Sequence, residues 1–560
     1  MPNVAFTGSV GPAADAVGLA RPGAPTALAV LLALAGVGGG VARAEQAPTD
    51  AVPPGSTTGS APAAARFDVL EYRVLGNTVL PGRDIEQVLY PLLGEHKVLA
   101  DVETARASLE KLYHDRGFAT VFVDIPPQEI HEGIVRLHVT EGRLHESRVT
   151  GARYFSEPDI AAALPAAQVG AVPNLPALQQ QLSALNNANA DRSAVPVIKA
   201  GPVPGTMDLE FKVSDKLPLH GSIEVDDNYT AYTKPLRATG ALSYDNLFGA
   251  LDTASLQYQD SPQALGQVAV FTASYLSRPL ADGWRISASY TDSDSDVANI
   301  GSGGLGVLGK GQLLSARFTR PTFSSTTSLQ SVILGIDYKH FRDAIGAGGT
   351  SSPLVTPISY TNLSAGYAGS WIGAHFDPAV NVAANFGLRD APNSPNAFEN
   401  KRYLGRPNYF YIRWDGTVMV HLPSSFQLML RCAGQEANEP LISNENFPIA
   451  GSDGVRGYLE AEELGDKAVK GTVQLQSPDL AWHQPHFLNA FAFLDLGRMQ
   501  VIDALPEQVD HALLRSWGGG INLLPNGPVS GALTWADPLE SAAYTQAHQS
   551  RILFTVRAGF

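Results

Sequence analysis

"QSVILGIDYKHF", residues 330–341, decides the fold of this chain. Successive side chains of a strand point to opposite faces. Val332, Leu334, Ile336 and Tyr338 therefore share one face. Ser331, Ile333, Gly335, Asp337 and Lys339 share the other. A strand with an unbroken apolar face and a face carrying Asp and Lys fits a wall between hydrocarbon and water, the signature of a transmembrane β-barrel.

The same alternation recurs on both sides of this stretch. "TASLQYQDS" (253–261) sets Ala254, Leu256 and Tyr258 against Ser255, Gln257 and Gln259. "WRISASYTDS" (284–293) sets Trp284, Ile286, Ala288 and Tyr290 against Arg285, Ser287, Ser289 and Thr291. "RILFTVRAGF" (551–560) puts Ile552, Phe554, Val556, Ala558 and Phe560 on one face. At roughly 20 residues per strand and connection, residues 216–560 hold about 16 antiparallel strands, and bacterial barrels are usually even-numbered. A β-propeller would repeat at blade length, and no such repeat appears.

Composition agrees with this class. Of 560 residues, 44% are hydrophobic and 17% charged, with a net charge of −15 and no long basic run, so no nucleic-acid partner is expected. The one cysteine, Cys432, excludes a disulfide scaffold and a Cys-based zinc site, and reads as a small buried hydrophobe. No later stretch approaches the length of a membrane helix.

The N-terminal part is organised differently. Arg21, the apolar run Ala27–Val37 and the small residues Ala42-Arg43-Ala44 read as an export signal over 1–44. Residues 45–65, with four prolines and no amphipathic period, read as a flexible linker. Two β-α-α-β-β units follow, at 66–142 and 143–215. In the first, "RFDVLEYRVLGNTVL" reads as one strand turning at Gly76-Asn77. Helices are expected over Asp84–Gly94 and Asp101–Phe118, the second capped by Asp101 and stopped at Gly117. Two strands surround a turn at Glu132-Gly133.

One stretch obeys neither period: "GSDGVRGYLE" (451–460). Counting strands back from a periplasmic C-terminus, with short turns inside and long loops outside, places it in an outer loop. Downstream, "NAFAFLDLGRM" (489–499) alternates again, with Ala490, Ala492, Leu494 and Leu496 on the lipid face. Asp495 must then point inward.

These two stretches carry a family likeness. The chain resembles the two-partner secretion transporters of the outer membrane protein 85 superfamily, the haemolysin secretion/activation type of type V secretion. Their V-R-G-[YF] motif appears as Val455-Arg456-Gly457-Tyr458, and their F-x-D-x-G motif as Phe493, Asp495 and Gly497. The resemblance implies two periplasmic POTRA domains before a 16-stranded barrel. It also implies a loop, here 447–466, folded back into the lumen with Arg456 paired to Asp495. The terminal Phe560 resembles the signal read by the barrel assembly machinery, although Ala558 stands where many such signals carry an aromatic.

The implied function is a channel in the outer membrane that exports one unfolded partner protein, of the adhesin or haemolysin type, captured by the POTRA domains. No enzyme, cofactor or metal site is expected. "GSGGLG" (301–306) mimics a dinucleotide fingerprint but follows no strand into a helix. His483 and His486 stand in a turn without further ligands. Tyr113, Gly117 and Gln128 read as structural. Two alternatives share features: an outer-membrane assembly factor, which would usually carry more POTRA domains, and a passive porin, which would carry neither these domains nor the loop motif.

Overall fold

The structure is a computed structural model that describes residues 66–295, 310–342, 344–345, 354–355, 357–389, 394–483, 486–506, 508–525 and 528–560. The export signal, the linker and Gly301–Gly306 lie outside the described residues, as do the side chains of His483 and His486. Two compact units meet in sequence at Asp215 and Lys216.

The N-terminal unit holds two lobes of one topology. In the first, β1 (Phe67–Val69) pairs with β3 (Gly94–Lys97), while β2 (Glu71–Leu75), β5 (Ile134–Glu141) and β4 (Val121–Asp124) form a sheet in that order. Its helices are α1 (Gly82–Leu89) and α2 (Leu99–Asp115). The second lobe has β6 (Arg143–Thr150), α3 (Glu157–Ala162), α4 (Leu175–Asn187), β7 (Arg192–Ala200) and β8 (Thr206–Asp215), with sheet order β6-β8-β7. β2 runs parallel to β5, and β6 to β8, which a crossover through two helices permits. Leu109, Tyr113, Val121 and Leu137 are fully buried in the first core.

Local details depart from the sequence reading. The single strand expected at the start breaks at Leu70 into β1 and β2, which join different sheets. The first helix ends at Leu89 in a 3-10 turn over Tyr90–Leu92, and Gly94 opens a strand. Pro91 has no N–H to continue the helical ladder. The second helix starts at Leu99, and Asp101 is not its cap. From inside the first turn its carboxylate accepts the Val98 N–H at 2.8 Å. The expected turn places Glu132 and Gly133 both at positive φ (54° and 72°). Tyr113 donates to Asn77 Oδ1 at 2.7 Å, and burial pushes its phenol pKa up. The Gln128 amide bonds both main-chain groups of Arg136.

The second unit is a closed antiparallel barrel of sixteen strands, from β9 (Leu219–Asp226) to β24 (Arg551–Gly559). One strand, β20, is made of two collinear pieces, Lys467–Gln476 and Leu480–His483, both paired to β21 (His486–Gln500). β24 closes on β9 with Val556 opposite Val225, and Phe560 and Gly221 exchange main-chain bonds of 2.9 and 3.2 Å.

The opening stretch forms β15 (Ser328–Phe341). Val332, Leu334, Ile336 and Tyr338 are 36–44% exposed on the outer surface, against 3% for Asp337 and 5% for Lys339 inside. The alternation thus separates lipid from lumen. Cys432 corrects an expectation. It lies on β19 (Gln427–Ala437) beside the lumen-facing Arg431, so period two turns it outward and exposed.

Truncating Leu109 to Ala removes fully buried side-chain volume from the first lobe, at a cost of about 2–5 kcal/mol. Limited proteolysis of the full-length protein in urea should cut that lobe at lower denaturant, while the heat-modifiable barrel band is unchanged. Cleavage at the native urea concentration would contradict this core assignment.

Candidate functional site

The connection from Ala437 to Lys467 turns inward. Asp466 closes its base by accepting the Leu441 N–H at 2.9 Å and the Ile502 N–H at 2.7 Å, with Arg402 at 3.7 Å. Phe447–Pro448 and Leu464–Gly465 pair as a short ribbon. Beyond it, the tip 449–460 meets the wall.

Arg456 is the centre of the tip. Its Nε donates to Asp495 Oδ2 at 2.8 Å and its Nη2 to Oδ1 at 2.9 Å, a bidentate fork suited to a carboxylate. Its main-chain N–H adds a bond to Oδ2 at 3.1 Å, and Nη1 donates to Gln474 at 2.9 Å. The guanidinium carbon stands 3.4 Å from the centre of the Phe493 ring. Thr472 donates to Asp495 Oδ1 at 2.8 Å. Arg456 is 9% exposed and Asp495 4%.

The two motifs fit residue against residue. Phe493, Asp495 and Gly497 are alternate positions of β21, so all three face the lumen. Phe493 stacks on the guanidinium and Asp495 binds it. A Cβ at Gly497 would lie 2.8 Å from Val455 Cγ2 and 3.1 Å from Ile449 Cβ. That glycine is therefore the seat for Val455, which is fully buried. Tyr458 is 1% exposed, and its hydroxyl donates to the Glu540 carbonyl at 2.9 Å and accepts the Glu540 N–H at 3.1 Å.

The glycines of the tip serve different needs. Gly457 has φ +96°, a left-handed conformation that favours glycine. Gly454 closes a tight turn, its N–H donating to the Gly451 carbonyl at 3.0 Å. That turn also needs space, because a Cβ at Gly454 would lie 2.2 Å from the Ile449 carbonyl oxygen.

Several partners went unread in the sequence. Asp453 pairs with Arg431 at 2.6 Å and Lys470 at 3.3 Å. The Tyr458 carbonyl accepts from Arg551 at 2.9 Å, and the Glu460 N–H donates to the Tyr229 carbonyl at 3.0 Å. Their only sequence signal was that Arg431 and Lys470 sit at inward positions of strands. Phe560, by contrast, lies at the barrel seam, 77% exposed and apart from this cluster.

Fold and site together define an outer-membrane barrel with N-terminal α+β lobes and an internally held loop. The family model for the haemolysin secretion/activation protein ShlB/FhaC/HecB matches residues 205–523, and that for the POTRA domain, ShlB-type, matches 67–142. The chain belongs to the ShlB/FhaC/HecB family. It is 22% identical to the outer membrane transporter CdiB of Dickeya dadantii, over 82% of this chain and 80% of that one. It is 21% identical to the heme/hemopexin transporter protein HuxB of Haemophilus influenzae, over 85% and 84%. Among solved structures, CdiB from Escherichia coli superposes with a TM-score of 0.60 at 17% identity, covering 91% of this chain and 93% of that one. BamA from Haemophilus ducreyi lacking POTRA domains 1–3 gives 0.56 at 14% identity, covering 88% and 100%.

The Gly497 seat is testable. Gly497→Val should push Val455 off the wall and release the tip without unfolding the barrel. Trypsin added to intact vesicles should then cleave after Arg456, which is protected in the native protein. Persistent protection in a heat-modifiable variant would show that the seat does not hold the loop.

Proposed function

We propose that this protein is an outer-membrane channel through which one partner exoprotein passes, unfolded, from the periplasm to the cell surface. The observation that carries the reading is the buried Arg456–Asp495 clamp inside a closed barrel, on a chain of the secretion/activation family. A lumen held by a non-covalent loop can be cleared and refilled, which repeated passage of a chain requires.

The N-terminal lobes, placed in the periplasm, capture the passenger as an extended strand added to a sheet edge. Such binding reads the main chain, which suits an unfolded client. The edges are not equivalent. On β4, the α2 side chains already serve the outward groups: Arg106 donates to the Val123 carbonyl at 3.2 Å, Glu110 accepts the Val123 N–H at 3.2 Å, and His114 bonds the Val121 carbonyl at 3.1 Å. On β7, Asn186 bonds both main-chain groups of Ala194, and Pro196 has no N–H to offer. Glu71 bonds across to Gly133, so Tyr72 and Val74 turn their main-chain groups the other way. This favours β2 as the capturing edge.

Secretion of the partner exoprotein tests the reading. Arg456→Ala and Asp495→Ala proteins should insert at native levels and lose most export, since each leaves a buried charge unpaired at a cost of about 3–5 kcal/mol. Val74→Pro should fail earlier, with the exoprotein no longer co-purifying with the transporter. Native export by both lumen variants would sink the proposal.

A further inference from the structure

The inward loop touches the wall at a second place, on a separate carboxylate. Glu445 lies before the tip, and its side chain is 2% exposed. Oε1 accepts from Lys339 Nζ at 2.5 Å and from the Tyr360 hydroxyl, and Oε2 accepts from the Tyr411 hydroxyl at 2.8 Å. Its main-chain carbonyl accepts from Gln435 Nε2 at 3.1 Å and Arg413 Nη2 at 3.3 Å. These partners stand on β15, β16 (Ile358–Trp371), β18 (Phe410–His421) and β19. One loop residue thus ties four barrel strands.

The two contacts differ in surroundings. Glu445 and Lys339 are buried, and they join a cluster of buried side chains through Tyr360 and Tyr411, which pack with Phe341, Ile358, Phe398 and Tyr409. Separating them would leave two buried side chains, 2% and 6% exposed, each without its counter-charge. Arg456 borders a cavity of mixed lining, where Asn228, Arg431, Asp453 and Asn522 stand among Phe491 and Leu553. There, water and other side chains can take over the hydrogen bonds of Arg456 and Asp495 once they part. Between the two contacts lies Gly451, at φ +110°, where the chain turns into the tip.

We propose that Glu445 is a fixed second anchor of the loop: residues 441–447 stay on the wall while the tip 449–460 detaches and returns, and Glu445 positions Arg456 for its return to Asp495. The pivot lies between Pro448 and Gly451. This rests on the reading of the loop as the part of the channel that moves. Its test needs no passenger, so a failure of the anchor and a failure of the export reading are distinguished.

The measurement uses pulsed electron–electron distances in the full-length protein, with Cys432→Ser as background and nitroxide labels in nanodiscs. Thr326, in an exposed turn at the opposite end of β15, is paired with Ser443 in one sample and Ser452 in another. Both pairs should give one narrow distance in the otherwise native protein. Arg456→Ala should broaden the Thr326–Ser452 distribution at least twofold and leave Thr326–Ser443 narrow. Glu445→Gln should broaden Thr326–Ser443, and Glu445→Asp, which keeps the charge, should broaden it less. If Glu445→Gln does not insert, Lys339→Met and Tyr411→Phe are read in its place with the same expectation. Equal broadening of both pairs by Arg456→Ala would overturn the proposal. So would a Thr326–Ser443 distance unmoved when the Glu445 contacts are removed.

Discussion

The structure depends on a carboxylate that the barrel wall cannot satisfy alone. Asp495 points into the lumen from a strand whose other face meets lipid, and the wall supplies one hydrogen bond, from Thr472, and the more distant charge of Arg431. A buried charge without a counter-charge is costly. The directly bonded cation comes from a loop that must leave the rim and descend into the lumen to deliver it. Every other feature of the tip makes that delivery possible: the base closed by Asp466, the left-handed Gly457, and the space left at Gly454 and Gly497.

The loop is consequently a strut across the lumen. Glu445 holds it to β15, β16, β18 and β19, Arg456 to β21, and Tyr458 and Glu460 to groups near the last and first strands. Its contacts thus reach wall strands well separated around the barrel and groups on both sides of the closing seam. Directional polar contacts fix its position, and Phe447, Ile449, Val455 and Tyr458 pack in a buried cluster with Ala433, Met499 and Leu514 of the wall. A transport channel needs both properties, a defined resting plug and a route out of it.

The barrel was legible because its signal is local. Period two in "QSVILGIDYKHF" sorts lipid from lumen without knowledge of any other strand, and the same rule turned Asp495 inward. It also held the answer for Cys432, whose neighbour Arg431 was already an inward charge. The first-lobe helices were legible as elements but not at their ends, where Pro91 and the reach of Asp101 back to Val98 decide the boundary. The Arg456–Asp495 contact entered as an implication of family likeness, supported by parity. No such help existed for Glu445. Lys339 was plainly an inward charge in the opening stretch, yet its partner lies 106 residues away in an aperiodic loop, where neither spacing nor propensity points to it.

The most direct test is ion conductance of the full-length protein in planar bilayers, compared among the native form, Arg456→Ala, Asp495→Ala and the double variant. If the pair holds the strut in the lumen, each single change raises mean conductance, and the double change raises it no further, because both break one contact. Conductance equal to native in the single variants, or effects that add in the double variant, would contradict the account.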